Sequence, residues 1–209
     1  MNAPITLLLI AITCVVSLLA LRTPSMMMRL VLWPPALDRQ RQYDRLVTYG
    51  FIHADFWHLL FNMVTLFFVG RLMEPLIGRL SGNSLVYAGF YLSALVVAIL
   101  PTYLKHQKDP NYYALGASGA VSALLFSFIL IDPWAMLIVF VIPMPAIIFA
   151  VLYVGYSIWM DRRGGGRTNH GAHLAGAVYG VLFMFAMEPR VMQHFLEQMS
   201  QPRFGFGFG

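Results

Sequence analysis

Residues 110–131 read PNYYALGASGAVSALLFSFILI, with no Asp, Glu, Lys or Arg among them. A helix needs about 20 mainly apolar residues to cross a hydrocarbon core roughly 30 Å thick, and this stretch supplies them. Five further intervals are free of the same four residue types: Met1–Leu21, Phe56–Gly70, Leu80–Leu104, Pro133–Met160 and Thr168–Met187. The second of these is cut short by Arg71 and Glu74. Placed three apart on a helix, the two can pair near the far interface while apolar character resumes to Ile77. The chain therefore reads as an all-α membrane protein, a bundle of six transmembrane helices at about 3–21, 56–77, 84–104, 115–131, 134–159 and 169–187. One domain covers 1–188, and 189–209 is a short C-terminal tail.

Composition agrees. Of 209 residues, 59% are hydrophobic and 11% charged, and the mean hydropathy is +0.69. A soluble domain carries about 25% charged residues, so this chain has too few to clothe a globule in water. Disorder is excluded too, because it needs high net charge and few large apolar side chains. The single Cys14 permits neither an intrachain disulfide nor a thiolate metal cluster. The net charge of +5 would suggest nucleic acid in a soluble protein. Here it reads as basic loops meeting the lipid bilayer, with no nucleic-acid partner. Met1 is followed by no basic run, and no A-x-A site follows the apolar stretch, so the first span reads as a retained anchor.

Residues 22–55 separate the first two spans and hold eight charged residues, Pro34-Pro35, Trp33 and Met26-Met27-Met28. The segment is too polar to cross the bilayer and too apolar for a free linker, so it is expected to lie in the interface as short amphipathic pieces. Gly164-Gly165-Gly166 reads as a hinge between the fifth and sixth spans. The Phe-Gly alternation of 204–209 reads as a disordered tail. No internal repeat is visible.

Spans two, four and six begin on the same side of the membrane, and their first turns carry the polar residues. The second opens with Trp57-His58-Leu59-Leu60-Phe61-Asn62, placing His58 and Asn62 four apart on one face. The fourth opens with Gly116-Ala117-Ser118-Gly119 and the sixth with His170-Gly171-Ala172-His173. Polar groups held at membrane depth are costly and mark function. The chemistry they suggest is a serine nucleophile, Ser118, with His173 as general base. The helix N-terminus at Ser118, with His58 and Asn62 as further donors, would support an oxyanion. Gly116 and Gly119 read as clearing the approach of a carbonyl. Small residues at Ala172, Gly176 and Gly180 face Gly119, Ala120 and Ala123, so the fourth and sixth helices can approach closely. Asp55 reads as the N-cap of the second span, leaving a dyad rather than a triad.

These residues resemble the rhomboid intramembrane serine proteases. The matching positions are Arg45 to Thr48, His53, His58, Asn62, Gly70, Glu74, Gly116-Ala117-Ser118-Gly119 and Ala172-His173-Leu174-Ala175-Gly176. The resemblance implies Ser118 as nucleophile, His173 as base, and His58 and Asn62 as oxyanion partners. It further implies single-span transmembrane protein substrates cut in or near the membrane, with no cofactor. One departure is Asp44-Arg45, where many members have Trp-Arg. A non-proteolytic relative that binds transmembrane helices is the alternative reading, and loss of the serine or histidine would have favoured it.

Other histidines read as structural: His53 as an interfacial donor, His170 as a cap of the sixth span, His106 and His194 as solvated. No metal site is expected, because no inward carboxylate or thiolate completes one. With the N-terminus inside, Lys and Arg number ten in the outer connections and four inside, opposite to the usual bias. The resemblance nonetheless implies a multi-pass protein of a bacterial inner membrane with its active face toward the periplasm.

Overall fold

The computed structural model describes residues 3–139, 141–164 and 168–202. The described residues form ten α-helices, α1 to α10, and one two-stranded hairpin. Helix α1 covers Pro4–Arg22. Three short helices follow in the segment expected at the interface: α2 (Pro24–Leu30), α3 (Pro34–Gln40) and α4 (Arg45–Thr48). A 3-10 turn at Tyr49–Phe51 completes that segment, which is built of short pieces as expected. The bundle continues with α5 (Phe56–Ser81), α6 (Leu85–His106) and α7 (Ser118–Ile131). It closes with α8 (Ala146–Arg163) and α9 (His170–Met187), and α10 covers Val191–Ser200. Helices α1, α5, α6 and α9 are each long and apolar enough to cross a membrane, and α7 is a shorter apolar helix. Fully buried Leu66, Met73, Tyr87, Phe90, Tyr91, Leu95 and Leu124 place the core among α5, α6 and α7.

Glu74 does not pair with Arg71 as expected. It is buried, and its carboxylate accepts from the backbone N–H groups of Ile5 (3.0 Å) and Thr6 (2.7 Å) in the first turn of α1. This closes the accounts of that helix end. Pro4 has no N–H to satisfy, Glu74 takes the next two, and Leu7 donates to Ala3. A carboxylate is also the favoured charge at a helix N-terminus. Thr6 then donates its hydroxyl to Tyr87 on α6. Gly70 leaves the room, since a Cβ there would sit 2.7 Å from both Thr6 Cγ2 and the Tyr87 hydroxyl. Arg71, on the exposed side of α5, lies instead over the Phe67 ring, 5.0 Å from its centroid.

Helices α7 and α9 make the most extensive contact in the bundle. A Cβ at Gly176 would collide with the Gly119 carbonyl, and one at Gly180 with the Ala123 carbonyl. Ser127 adds a hydrogen bond across the seam to the Gly180 carbonyl, 3.0 Å. The small-residue stripe read from sequence is thus a backbone-to-backbone contact. Gly176→Ala is expected to force the helices apart and destabilise the protein by about 1–3 kcal/mol. Thermal unfolding in detergent checks it, and a melting temperature equal to wild type would refute the contact.

Two expected boundaries are corrected. The fifth span does not begin near 134. Met136–Val139 (β1) and Ile142–Pro145 (β2) pair as an antiparallel hairpin, and α8 starts only at Ala146. Pro143 and Pro145 explain the delay, since each lacks an N–H and disfavours helical geometry in the residue before it. The N–H groups of Ala146 and Ile147 donate to Ala135 and Pro133, fixing where the helix begins. The expected C-terminal tail contains α10, whose Val191 is buried. Trp134 Nε1 donates to the Gln198 carbonyl, and His194 Nε2 donates to Ile131 at the end of α7, so His194 is docked rather than solvated. Gly165 and Gly166 of the expected hinge and the tail at 204–209 lie outside the described residues.

Candidate active site

The site is built on the first turns of α5, α7 and α9. Asp55 caps α5, its carboxylate accepting from the His58 N–H at 2.8 Å, as the sequence suggested. This cap fixes where the helix starts and hence which way His58 projects. The His58 ring lies against Gly116, where a Cβ would stand 2.7 Å from His58 Cε1. Gly116 also has φ +112, a conformation that side chains rarely adopt. Two independent reasons therefore require glycine here, and both concern the approach to Ser118.

Ser118 is the first residue of α7 and His173 lies in the first turn of α9. His173 Nε2 stands 2.7 Å from Ser118 Oγ. The close seam between α7 and α9 is what allows side chains as short as serine and histidine to meet across two helices. The opening N–H groups of α7 have no intrahelical partners, and its dipole points positive charge at the same spot. At 14 residues, α7 is about 21 Å long, against roughly 30 Å for a hydrocarbon core. Helix α7 is therefore too short to cross such a core from face to face. Asn62 is buried one turn along α5 from His58, and its Nδ2 donates to the His58 carbonyl at 2.8 Å.

Residues 40–190 match the Rhomboid domain. The chain belongs to the rhomboid family. It is 33% identical over 151 residues to RHOMBOID-like protein 12, mitochondrial, of Arabidopsis thaliana, covering 66% of this chain and 44% of that protein. It is 29% identical over 168 residues to Rhomboid-related protein 1 of Caenorhabditis elegans, with 74% and 43% covered. Rhomboid protein 1, mitochondrial, of Saccharomyces cerevisiae is 29% identical over 137 residues, with 64% and 39% covered. The match spans less than half the length of each of these relatives. Family and spans together make this an integral membrane protein.

The 22–55 segment of this rhomboid holds the strand of chain that leads into Ser118. Buried Arg45 donates to the carbonyls of Met28 (2.9 Å) and Val31 (2.6 Å) and to Gln42 (2.7 Å), folding α2 back on α4. Its neighbour Asp44, where the family pattern departs, forms a surface ion pair with Arg29 at 2.8 Å. Leu32 and Ala114 then exchange two backbone hydrogen bonds, and Gly116 N–H donates to Tyr49. The 116–118 turn is therefore pinned from that segment.

His53 proves to be part of this arrangement, and not as a simple donor. It is fully buried, and its Nε2 accepts from the N–H of Ala117, immediately before the serine, at 3.3 Å. Burial, reinforced by His58, pushes its pKa down to about 3, so the ring is neutral at physiological pH. With Nε2 accepting, the proton sits on Nδ1 and donates to Ser17 Oγ at 2.9 Å, and Ser17 donates on to the Phe51 carbonyl. One tautomer thus links α1, the 49–53 segment and the turn that leads into Ser118.

Three smaller expectations change. Asn169, not His170, caps α9, its side chain accepting from Ala172 N–H at 3.0 Å, while His170 is already the first helical residue. His106 is stacked on Tyr112 with centroids 3.8 Å apart. Gly119 also has a packing role, since a Cβ there would stand 2.7 Å from Ala98 on α6.

Proposed function

We propose that this rhomboid is an intramembrane serine endopeptidase that cuts single-span membrane proteins in or beside their transmembrane segments. The observation that carries the reading is the 2.7 Å approach of His173 Nε2 to Ser118 Oγ at the start of α7. In the first step Ser118 Oγ attacks the scissile carbonyl carbon and His173 Nε2 takes the hydroxyl proton. The tetrahedral oxyanion is held by the α7 N-terminus, with His58 and Asn62 as side-chain donors. His173 gives its proton to the leaving amine, the C–N bond breaks, and an acyl ester remains on Ser118. Water loses a proton to His173, attacks the ester, and the new carboxylate leaves as Ser118 recovers its hydrogen. Such a site favours substrate helices that unwind readily, so small or helix-breaking residues near the cut fit the reading. The family resemblance favours opening of the site toward the outer or periplasmic side. A bacterial inner membrane is the compartment this reading favours, although two of the relatives above are named mitochondrial.

Cleavage of a single-span reporter in liposomes, with the cut site located by mass spectrometry, tests the reading. A reporter left whole by folded wild-type protein would favour a helix-binding role without proteolysis.

Asn62→Ala distinguishes support of the oxyanion from support of the helix. As an oxyanion donor, Asn62 should lower turnover by about 10²-fold when removed, with little change in apparent substrate affinity. As a purely structural amide, bonded to His58 O, it should cost about 0.6–2 kcal/mol of stability and leave turnover per folded molecule intact. The reading predicts the first result. Turnover, apparent affinity and melting temperature measured on one preparation decide it.

A further inference from the structure

Helix α8 sends one side chain into the site. The Tyr153 ring lies parallel to that of His173, with centroids 6.0 Å apart and planes inclined by 12°. Its hydroxyl is 2.7 Å from Ser122 Oγ. Ser122 lies four residues after Ser118, hence on the same face of α7, one turn deeper. Phe126 and Phe149 tilt against the same tyrosine, with centroids 5.8 Å and 5.4 Å away. The ring is therefore fixed at its edge by the helix that carries the serine, while its face meets the histidine.

Among the described residues no carboxylate is hydrogen bonded to His173, so nothing of the kind that orients the imidazole in a triad does so here. A parallel aromatic face at this distance restricts ring rotation. It also attracts the imidazolium that forms once Ser118 has given up its proton. We propose that Tyr153 is a positioning residue: its face holds the His173 ring for proton transfer, and the hydrogen bond to Ser122 holds Tyr153. This rests on the Ser118–His173 reading given above. The tyrosine touches neither substrate nor the attacked carbonyl and acts only through His173.

The experiment uses full-length protein in detergent and an alkyl fluorophosphonate. In that reaction a Ser118 Oγ–P bond forms, the P–F bond breaks, fluoride leaves and His173 takes the proton. The second-order rate constant is compared for wild type, Tyr153→Phe, Tyr153→Leu and Ser122→Ala, each with its melting temperature. Tyr153→Phe keeps the face and loses the hydrogen bond, and is expected to react about two- to threefold slower. Ser122→Ala should match it, and the Ser122→Ala/Tyr153→Phe double variant should be no slower than either, because one bond is lost in all three. Tyr153→Leu keeps bulk and loses the face, and is expected to react about 10- to 30-fold slower with folded protein retained. Should the leucine variant fail to insert, Tyr153→Met reads the same comparison, its flexible side chain filling irregular space. Folded Tyr153→Leu or Tyr153→Met reacting at the wild-type rate would overturn the proposal, as would Tyr153→Phe as slow as either. Wild type that fails to react, alongside an equally inert Ser118→Ala control, would overturn the dyad itself and is thereby distinguished.

Discussion

Ser118→Ala is expected to abolish cleavage of a single-span substrate, by about 10³-fold or more, while leaving the protein folded and inserted. The substitution removes one oxygen at the first residue of α7, and the hydrogen bond lost is the one to His173. Nothing in the fold leans on that oxygen. The α7–α9 seam is made by Gly119, Ala123, Gly176 and Gly180, and the chain into Ser118 is pinned by backbone bonds to Leu32 and Tyr49 and by the His53 side chain. Alanine also suits a helix start flanked by Ala117 and Gly119. Activity and stability should therefore separate cleanly. Proteolysis by a correctly inserted Ser118→Ala protein, with a melting temperature near that of wild type, would remove Ser118 as the nucleophile.

His173→Ala should be nearly as inactive, because an unassisted serine hydroxyl is a poor nucleophile at neutral pH. Removing the imidazole also frees the face of Tyr153 and one contact of His170, whose ring stands 5.8 Å away at 70°. A small loss of stability should accompany the loss of rate. The double variant Ser118→Ala/His173→Ala is expected to be little worse than either single one, since two groups acting as a unit fail together. Turnover of all three proteins on one reporter checks this. Multiplicative losses would mean that the two residues act in separate steps.

Much of this architecture is legible in the sequence, for identifiable reasons. Charge is expensive in lipid, so the intervals without Asp, Glu, Lys or Arg show where the long helices lie, although α5 runs on through Arg71, Glu74 and Arg79 and α7 begins well inside its interval. Ser118 and His173 stand out because each lies in a short run of small residues, and the glycines that flag them also create the close seam that brings them together. An uncharged run does not distinguish helix from hairpin, so the start of the fifth span is legible only through Pro143 and Pro145. Glu74 was assigned to Arg71 because helical spacing reveals only partners three or four residues away, and its true partners are the N–H groups of Ile5 and Thr6 at the far end of the chain. The same blindness hid Tyr153 and the acceptor role of His53. Tyr153 lies mid-helix in a stretch where tyrosine is unremarkable, and only the meeting of α7, α8 and α9 gives it Ser122 and His173 as neighbours.

The proposed dyad makes Ser118 an activated nucleophile. Its most direct test is to treat the purified wild-type protein with an alkyl fluorophosphonate and locate the adduct by peptide mass spectrometry. One stoichiometric adduct is expected on Ser118, formed faster than on any other serine and absent from folded His173→Ala protein on the same timescale. An adduct on another serine, or none on folded protein that still cleaves a reporter, would contradict it.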